Sequence, residues 1–301
     1  MTNNNIIKTK IPALSKITLP KKGAFTIETD PDFPKLHSMC IASGTRGSGK
    51  SVAIANILKK CKDKNYFDKI LLVTPTYNSN KEIWNICGIE PDDVYEPVDG
   101  VIKQMIGIVE TEKEEYEQYI KNMELFNKFN RDTKKPVNMI NPELLISYYE
   151  QGYFNTETSI KKPEWKYPVV QPPRIALILD DCLSIPVMAR PTQGLTNLCI
   201  RHRHIADGLG LSIFMLVQSY CCQGGVPRVI RENVTLLLLF KLKDENQKKK
   251  IIEEAGLEIS LEKFEEILEY CHSKQFNYLM IDFNPKDKNK QFRSGFDEYL
   301  N

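Results

Sequence analysis

The sequence has no apolar stretch long enough to cross a bilayer. Its longest nearly unbroken apolar run is Val234-Thr235-Leu236-Leu237-Leu238-Leu239-Phe240, whereas a spanning helix needs roughly 20 such residues. The amino-terminal region carries no apolar signal core, so no secretory address is expected and the chain reads as a soluble intracellular protein. CxxC spacing is missing too: the eight cysteines stand scattered at 40, 61, 87, 182, 199, 221, 222 and 271. That scatter excludes a disulfide frame or a cysteine-based metal site and reads as reduced, structural thiols. Charge of one sign is also lacking, since 41 Lys and Arg stand against 39 Asp and Glu, a net of +2. A basic scaffold that coats nucleic acid is thereby excluded. Contact with DNA through a few loops lining a ring is compatible with this balance, because local potential governs it and not total charge. No internal repeat is visible, and 42% hydrophobic with 27% charged residues is ordinary for a globular chain.

Against this plain background one stretch stands out. Gly44-Thr45-Arg46-Gly47-Ser48-Gly49-Lys50-Ser51 follows the apolar run Ser38 to Ser43 and precedes the helix-like Val52 to Leu58. Strand, glycine loop and helix in that order form a phosphate-binding loop. The glycines let backbone N–H groups turn inward, and the helix places its positive dipole end at the same spot. Lys50 is expected to reach the β- and γ-phosphates of ATP, and the Ser51 hydroxyl to ligate Mg²⁺.

Apolar runs at Lys69–Thr74, Arg174–Asp181, Leu211–Gln218, Val234–Lys241 and Phe276–Asp282 read as strands covered on both faces. Helical patterns separate them at 50–62, 192–207, 245–255 and 261–272. The alternation predicts an α/β fold of P-loop type, a mostly parallel, doubly wound sheet with helices on both faces. Ala24–Thr29 alternates like a short edge strand. The first 23 residues hold Lys8, Lys10, Lys16, Lys21 and Lys22 without an acid and read as a basic arm or a solvated tail. The expected organisation is this arm at 1–23, one ATPase domain at 24–282 and a carboxy-terminal tail at 283–301. Residues 101–130 repeat apolar side chains every three or four positions, a long amphipathic helix that opens an insertion at 101–173.

A Mg²⁺-nucleotide site needs a carboxylate at the tip of the strand next to the phosphate loop, and Asp180 has that place. Asp181 follows directly and is expected to polarise the attacking water; a turn-capping aspartate pair is the plainer reading of the same dipeptide. Gln218 ends an apolar strand, where it could bond the γ-phosphate or the water. Arg203, within Arg201-His202-Arg203-His204, and Arg231, together with Arg228, are candidates to reach the γ-phosphate on a neighbouring subunit; a solvated basic helix end accounts for the first group equally well.

The blocks GTRGSGKS, ALILDD, SIFMLVQS and VPRVIRENVTLLLLFKL, in that order, resemble the genome-packaging ATPases of large double-stranded DNA viruses, the poxvirus-type branch of the FtsK/HerA superfamily. The likeness spans roughly residues 36 to 282. It implies that Lys50 and Ser51 bind phosphate and Mg²⁺, that Asp180 holds the metal and Asp181 the water, and that Gln218 senses the γ-phosphate. It further implies a homo-oligomeric ring, hexamer or pentamer, around double-stranded DNA, with a capsid or portal component as partner. The setting would be the host-cell cytoplasm or a viral factory, or the virion. Many cellular relatives carry glutamate where Asp181 stands. A cellular-type DNA pump, or a nucleotide-dependent switch without translocation, would use the same loop and carboxylates.

Overall fold

The computed structural model describes residues 33–154, 160–183, 185, 188, 194–221, 225–241, 245–255, 259–285 and 287–300. The expected arm at 1–23 and the edge strand at Ala24–Thr29 lie outside these. The strands are β1 (Met39–Ser43), β2 (Lys69–Val73), β3 (Val94–Tyr95), β4 (Ile175–Asp180), β5 (Ser212–Val217), β6 (Leu236–Leu239), β7 (Leu279–Asp282), β8 (Phe292–Ser294) and β9 (Glu298–Leu300). The helices are α1 (Lys50–Asp63), α2 (Tyr77–Ile86), α3 (Val101–Asp132), α4 (Pro142–Glu150), α5 (Leu195–Arg201), α6 (Arg228–Arg231), α7 (Glu245–Ala255) and α8 (Leu261–His272).

The nine strands of the described residues join one sheet in the order β3-β2-β4-β5-β1-β6-β7-β8-β9. β3 through β6 run parallel, and β7, β8 and β9 add antiparallel neighbours. Successive strand residues alternate between two cores, as the period of two requires. Met39, Ile41, Leu177, Leu179, Ile213 and Met215 face α3, α5, α7 and α8. Cys40, Ala42, Ile178, Phe214 and Leu216 face α1 and α2, where Ile54, Leu58 and Trp84 are buried. Both faces are covered, which explains why these strands read as unbroken apolar runs. The seven described cysteines are all buried, and none is in a disulfide.

The stretch expected as a tail departs from that reading: β8 and β9 lie within 283–301 and close the sheet's edge. Gly295, at φ +63°, makes the tight turn between them, and the Arg293 guanidinium sits 4.2 Å from the Tyr299 ring. Each strand is only three residues long, too short for an alternation signal to register. α3 is 32 residues long. Its first turns bury Val101, Ile102, Met105 and Val109 on the sheet, while its far end joins a separate cluster of Phe129, Tyr148 and Tyr153. The Tyr148 hydroxyl donates to Asp132 at 2.9 Å and ties α4 back to α3. Among the described residues no helix is long and apolar enough to cross a membrane.

Candidate active site

The glycine loop leaves β1 at its carboxy-terminal edge, where the Gly44 N–H donates to Val217 O at 3.1 Å. A Cβ on Gly44 would lie 2.5 Å from Phe240 Cβ and 2.8 Å from Ser48 Oγ, so no other residue fits there. Gly47 and Gly49 adopt φ of +76° and +97°, the left-handed conformation that glycine takes without steric cost. α1 then starts at Lys50, with no acidic residue in its first turn and no side chain capping it. Its first N–H groups and its dipole are thus left to an anion. Lys50 is 8% exposed, and its ammonium donates to Gly44 O at 2.8 Å and Thr45 O at 3.0 Å. Burial draws its pKa down, while Asp181 and Asp180 act against that. Ser48 Oγ is buried with no hydrogen-bond partner among the described residues.

The acids arrive on β4, and here the topology corrects the expectation: β5, not β4, is the neighbour of β1 on this side. β5 therefore spaces the phosphate loop from Asp180 by two strand separations, about 10 Å. The registers Ser43↔Val217, Asp180↔Leu216 and Val73↔Leu179 align four strand ends on one edge. Gln218 thus follows β5 between the loop and the acid pair. Asp180 is 3% exposed and accepts from Thr74 Oγ1 at 3.3 Å. Burial, reinforced by the Asp181 charge, pushes its pKa up to about 6. Asp181 turns the chain with φ +51°, its N–H donating to Leu216 O at 3.3 Å.

Arg46, Gly47, Gly49, Lys50, Ser51, Asp180, Asp181 and Gln218 all line one cleft of about 1280 Å³. Its donor set fits a magnesium ion shared with phosphates. No cluster of three or more metal-binding side chains exists among the described residues, and Mg²⁺ characteristically takes one or two protein oxygens and leaves the rest of its shell to phosphates and water. Ser51 and Asp180, both lining the cleft, would supply those oxygens. A cation beside Asp180 would also relieve the burial that now opposes its ionisation.

The two arginines lie elsewhere. Arg203 follows α5, where the His202 carbonyl accepts from Leu211 N just before β5 begins; it stands at the opposite edge of the sheet, on the order of 20 Å from the loop. Arg231 forms a paired contact with Glu254 on α7, at 2.7 Å from both Nε and Nη2, and its Nη1 donates to Val226 O at 2.6 Å. Its donors are committed to holding α6 against α7. Arg46 is the one arginine among the described residues that line the cleft.

Sequence reasoning missed several cleft residues. Thr74 and Thr76 follow β2, and Thr76 N donates to Thr74 Oγ1 at 3.2 Å, which steadies the threonine that reaches Asp180. Polar residues directly after the apolar run Ile70–Val73 were the available signal, the same one that marked Gln218. Phe276, Asn277 and Tyr278, with Gly295, Phe296 and Asp297, complete the wall. Nothing local announces these, since β7 and β8 bring them to the loop through tertiary packing.

No family model matches the chain, and no curated protein does. Among solved structures it is similar to ATPases 2 and 3 of EssC from Geobacillus thermodenitrificans, at 14% identity and a TM-score of 0.44, over 88% of this chain and 40% of that one. It is also similar to the genome packaging NTPase B204 from Sulfolobus turreted icosahedral virus 2, solved with ATP-gammaS, at 12% identity and a TM-score of 0.40, over 90% of this chain and 100% of that one. A third is the pCW3 conjugation coupling protein TcpA, at 14% identity and a TM-score of 0.40, over 90% of this chain and 63% of that one. The chain thus spans less than half of the EssC structure. The likeness is one of fold.

Two outcomes follow from the geometry. The Asp180 carboxyl titrates near 6 folded against 3.8 as its ordinary value, so the folded state carries a strained carboxylate above pH 6 that protonation relieves toward pH 4. Asp180→Asn should therefore unfold in urea at higher stability than the native protein at pH 7.5, by up to about 3 kcal/mol. The gain should vanish near pH 4, and equal stabilities at both pH values would refute the assignment. For Arg231→Ala and Glu254→Ala, urea titrations of the single and double variants should give a coupling of about 1–2 kcal/mol. Additive losses would show that the pair holds nothing.

Proposed function

We propose that this protein is an ATP hydrolase of the FtsK/HerA kind that drives double-stranded DNA into a viral capsid. The observation that carries the hydrolase reading is the convergence of Lys50, Asp180, Asp181 and Gln218 on one cleft at one edge of the sheet. The phosphates occupy the loop at the amino terminus of α1, where N–H groups and dipole favour anions. Lys50 exchanges the carbonyls of Gly44 and Thr45 for phosphate oxygens. Ser51 and Asp180 would hold Mg²⁺, which would supply positive charge against the charge developing on the phosphates. Asp181 orients the attacking water and accepts its proton, while Gln218, between loop and acids, bonds the γ-phosphate or that water.

The DNA-motor half of the proposal rests on the order of the sequence blocks, from the phosphate loop to the Pro227–Asn233 segment that leads into β6. A ring of identical subunits, hexameric or pentameric, encloses the duplex, grips its phosphates without reading sequence and docks on a capsid or portal component. With Arg231 bound to Glu254 and Arg203 at the far edge, a cation for the transition state comes from the neighbouring copy, and Arg203 of that copy is the better candidate. The work is done in the host cytoplasm, a viral factory or the virion.

ATP turnover measured with and without duplex DNA, at low and moderate salt, tests both halves. Duplex DNA should stimulate turnover several-fold, the stimulation should fall steeply with salt, and Lys50→Ala should abolish turnover under every condition. Turnover indifferent to DNA would leave a nucleotide-dependent switch as the better account, and unchanged turnover in Lys50→Ala would overturn the site itself.

A further inference from the structure

Phe276 is a large apolar side chain left 61% exposed, and it holds φ at +62°. For a bulky residue that conformation is an outlier costing on the order of 1–3 kcal/mol, and it persists only where its surroundings over-determine it. Here they do. The Asn277 amide donates to Cys271 O and to Ser294 Oγ, both at 2.9 Å. Gly295 leaves room for it, since a Cβ there would stand 2.9 Å from Asn277 Oδ1. Tyr278 packs on Phe240 at 5.1 Å between ring centres, and Phe240 is the residue against which Gly44 closes. The result is an aromatic ring fixed beside the phosphate loop: a Cβ on Gly49 would meet Phe276 Cβ at 3.3 Å and Cδ1 at 3.4 Å.

The ring has no structural use that would explain its strain. It makes no ring contact or cation–π contact with a described residue. The other two aromatics of the cleft wall are engaged: Tyr278 by Phe240, and Phe296 by Phe33 at 5.6 Å, Lys60 at 5.1 Å and Arg293 at 5.7 Å. A cleft of about 1280 Å³ exceeds what a triphosphate fills, and beside Gly49 its wall presents the exposed Phe276 ring. We infer that Phe276 is the platform on which the nucleobase of the bound nucleoside triphosphate stacks. The inference rests on the phosphate-loop reading above and adds the far end of the ligand to it. The backbone strain keeps an apolar ring exposed beside the loop, and base stacking recovers that cost only when the nucleotide is present.

Calorimetric titration with ATP and with inorganic triphosphate, on the native protein, Phe276→Gly, Phe276→Tyr and Lys50→Ala, decides the matter. Glycine suits φ +62°, so Phe276→Gly should melt no lower than the native protein and bind inorganic triphosphate unchanged. Its ATP affinity should fall about tenfold or more, as the loss of one stacked base predicts. Phe276→Tyr should keep the native affinity. ATP affinity in Phe276→Gly within twofold of the native value overturns the platform, whatever Lys50→Ala does. Undiminished binding of both ligands by Lys50→Ala overturns the phosphate-loop reading instead.

Discussion

Two successive carbonyls at the end of β5 organise everything that follows. Val217 O receives the first N–H of the glycine loop, and Leu216 O receives the N–H of Asp181. One strand end therefore holds the phosphate loop on one side and the acid pair on the other, with Gln218 extending between them. The buried parallel ladder makes this spacing rigid: β1, β4 and β5 are apolar on both faces, and a slip of one residue would turn each core side chain to the wrong face. The geometry of this cleft is thus a property of sheet register, and the loops only complete it.

A second constraint closes the loop from the other flank. Gly44 meets Phe240, Phe240 meets Tyr278, and Tyr278 belongs to the segment whose strained Phe276 stands against Gly49. The antiparallel additions β7, β8 and β9 are therefore more than an edge. They carry the wall that closes on Gly49, and Asn277 pins that wall to Ser294 in β8.

The parallel core was legible because burial on both faces forces continuous apolar runs, and Gly44–Ser51 because few chemistries use that spacing. Order within the sheet was not legible. Strand adjacency is decided by crossovers, so Asp180 was placed beside β1 when β5 intervenes. α2 and α4 escaped because short helices at Tyr77 and Pro142 bury little, each with a single fully buried side chain, Trp84 and Tyr148. The arginines escaped for a different reason: a basic residue looks alike on paper whether it meets a phosphate or, as Arg231 does, a glutamate on the next helix. Phe276 carried no signal at all, since neither its backbone angle nor its neighbour Gly49 is local.

The division of labour between the two acids is the claim on which the account turns: Asp180 as part of the nucleotide's binding frame, Asp181 as a group needed only for the chemical step. ATP binding and single-turnover hydrolysis by Asp181→Asn test it most directly. Affinity within a few-fold of the native protein, with hydrolysis slowed by about 10²-fold or more, is the expected result for a lost general base. Hydrolysis at the native rate would contradict it, as would loss of ATP binding in a protein that still melts at the native temperature.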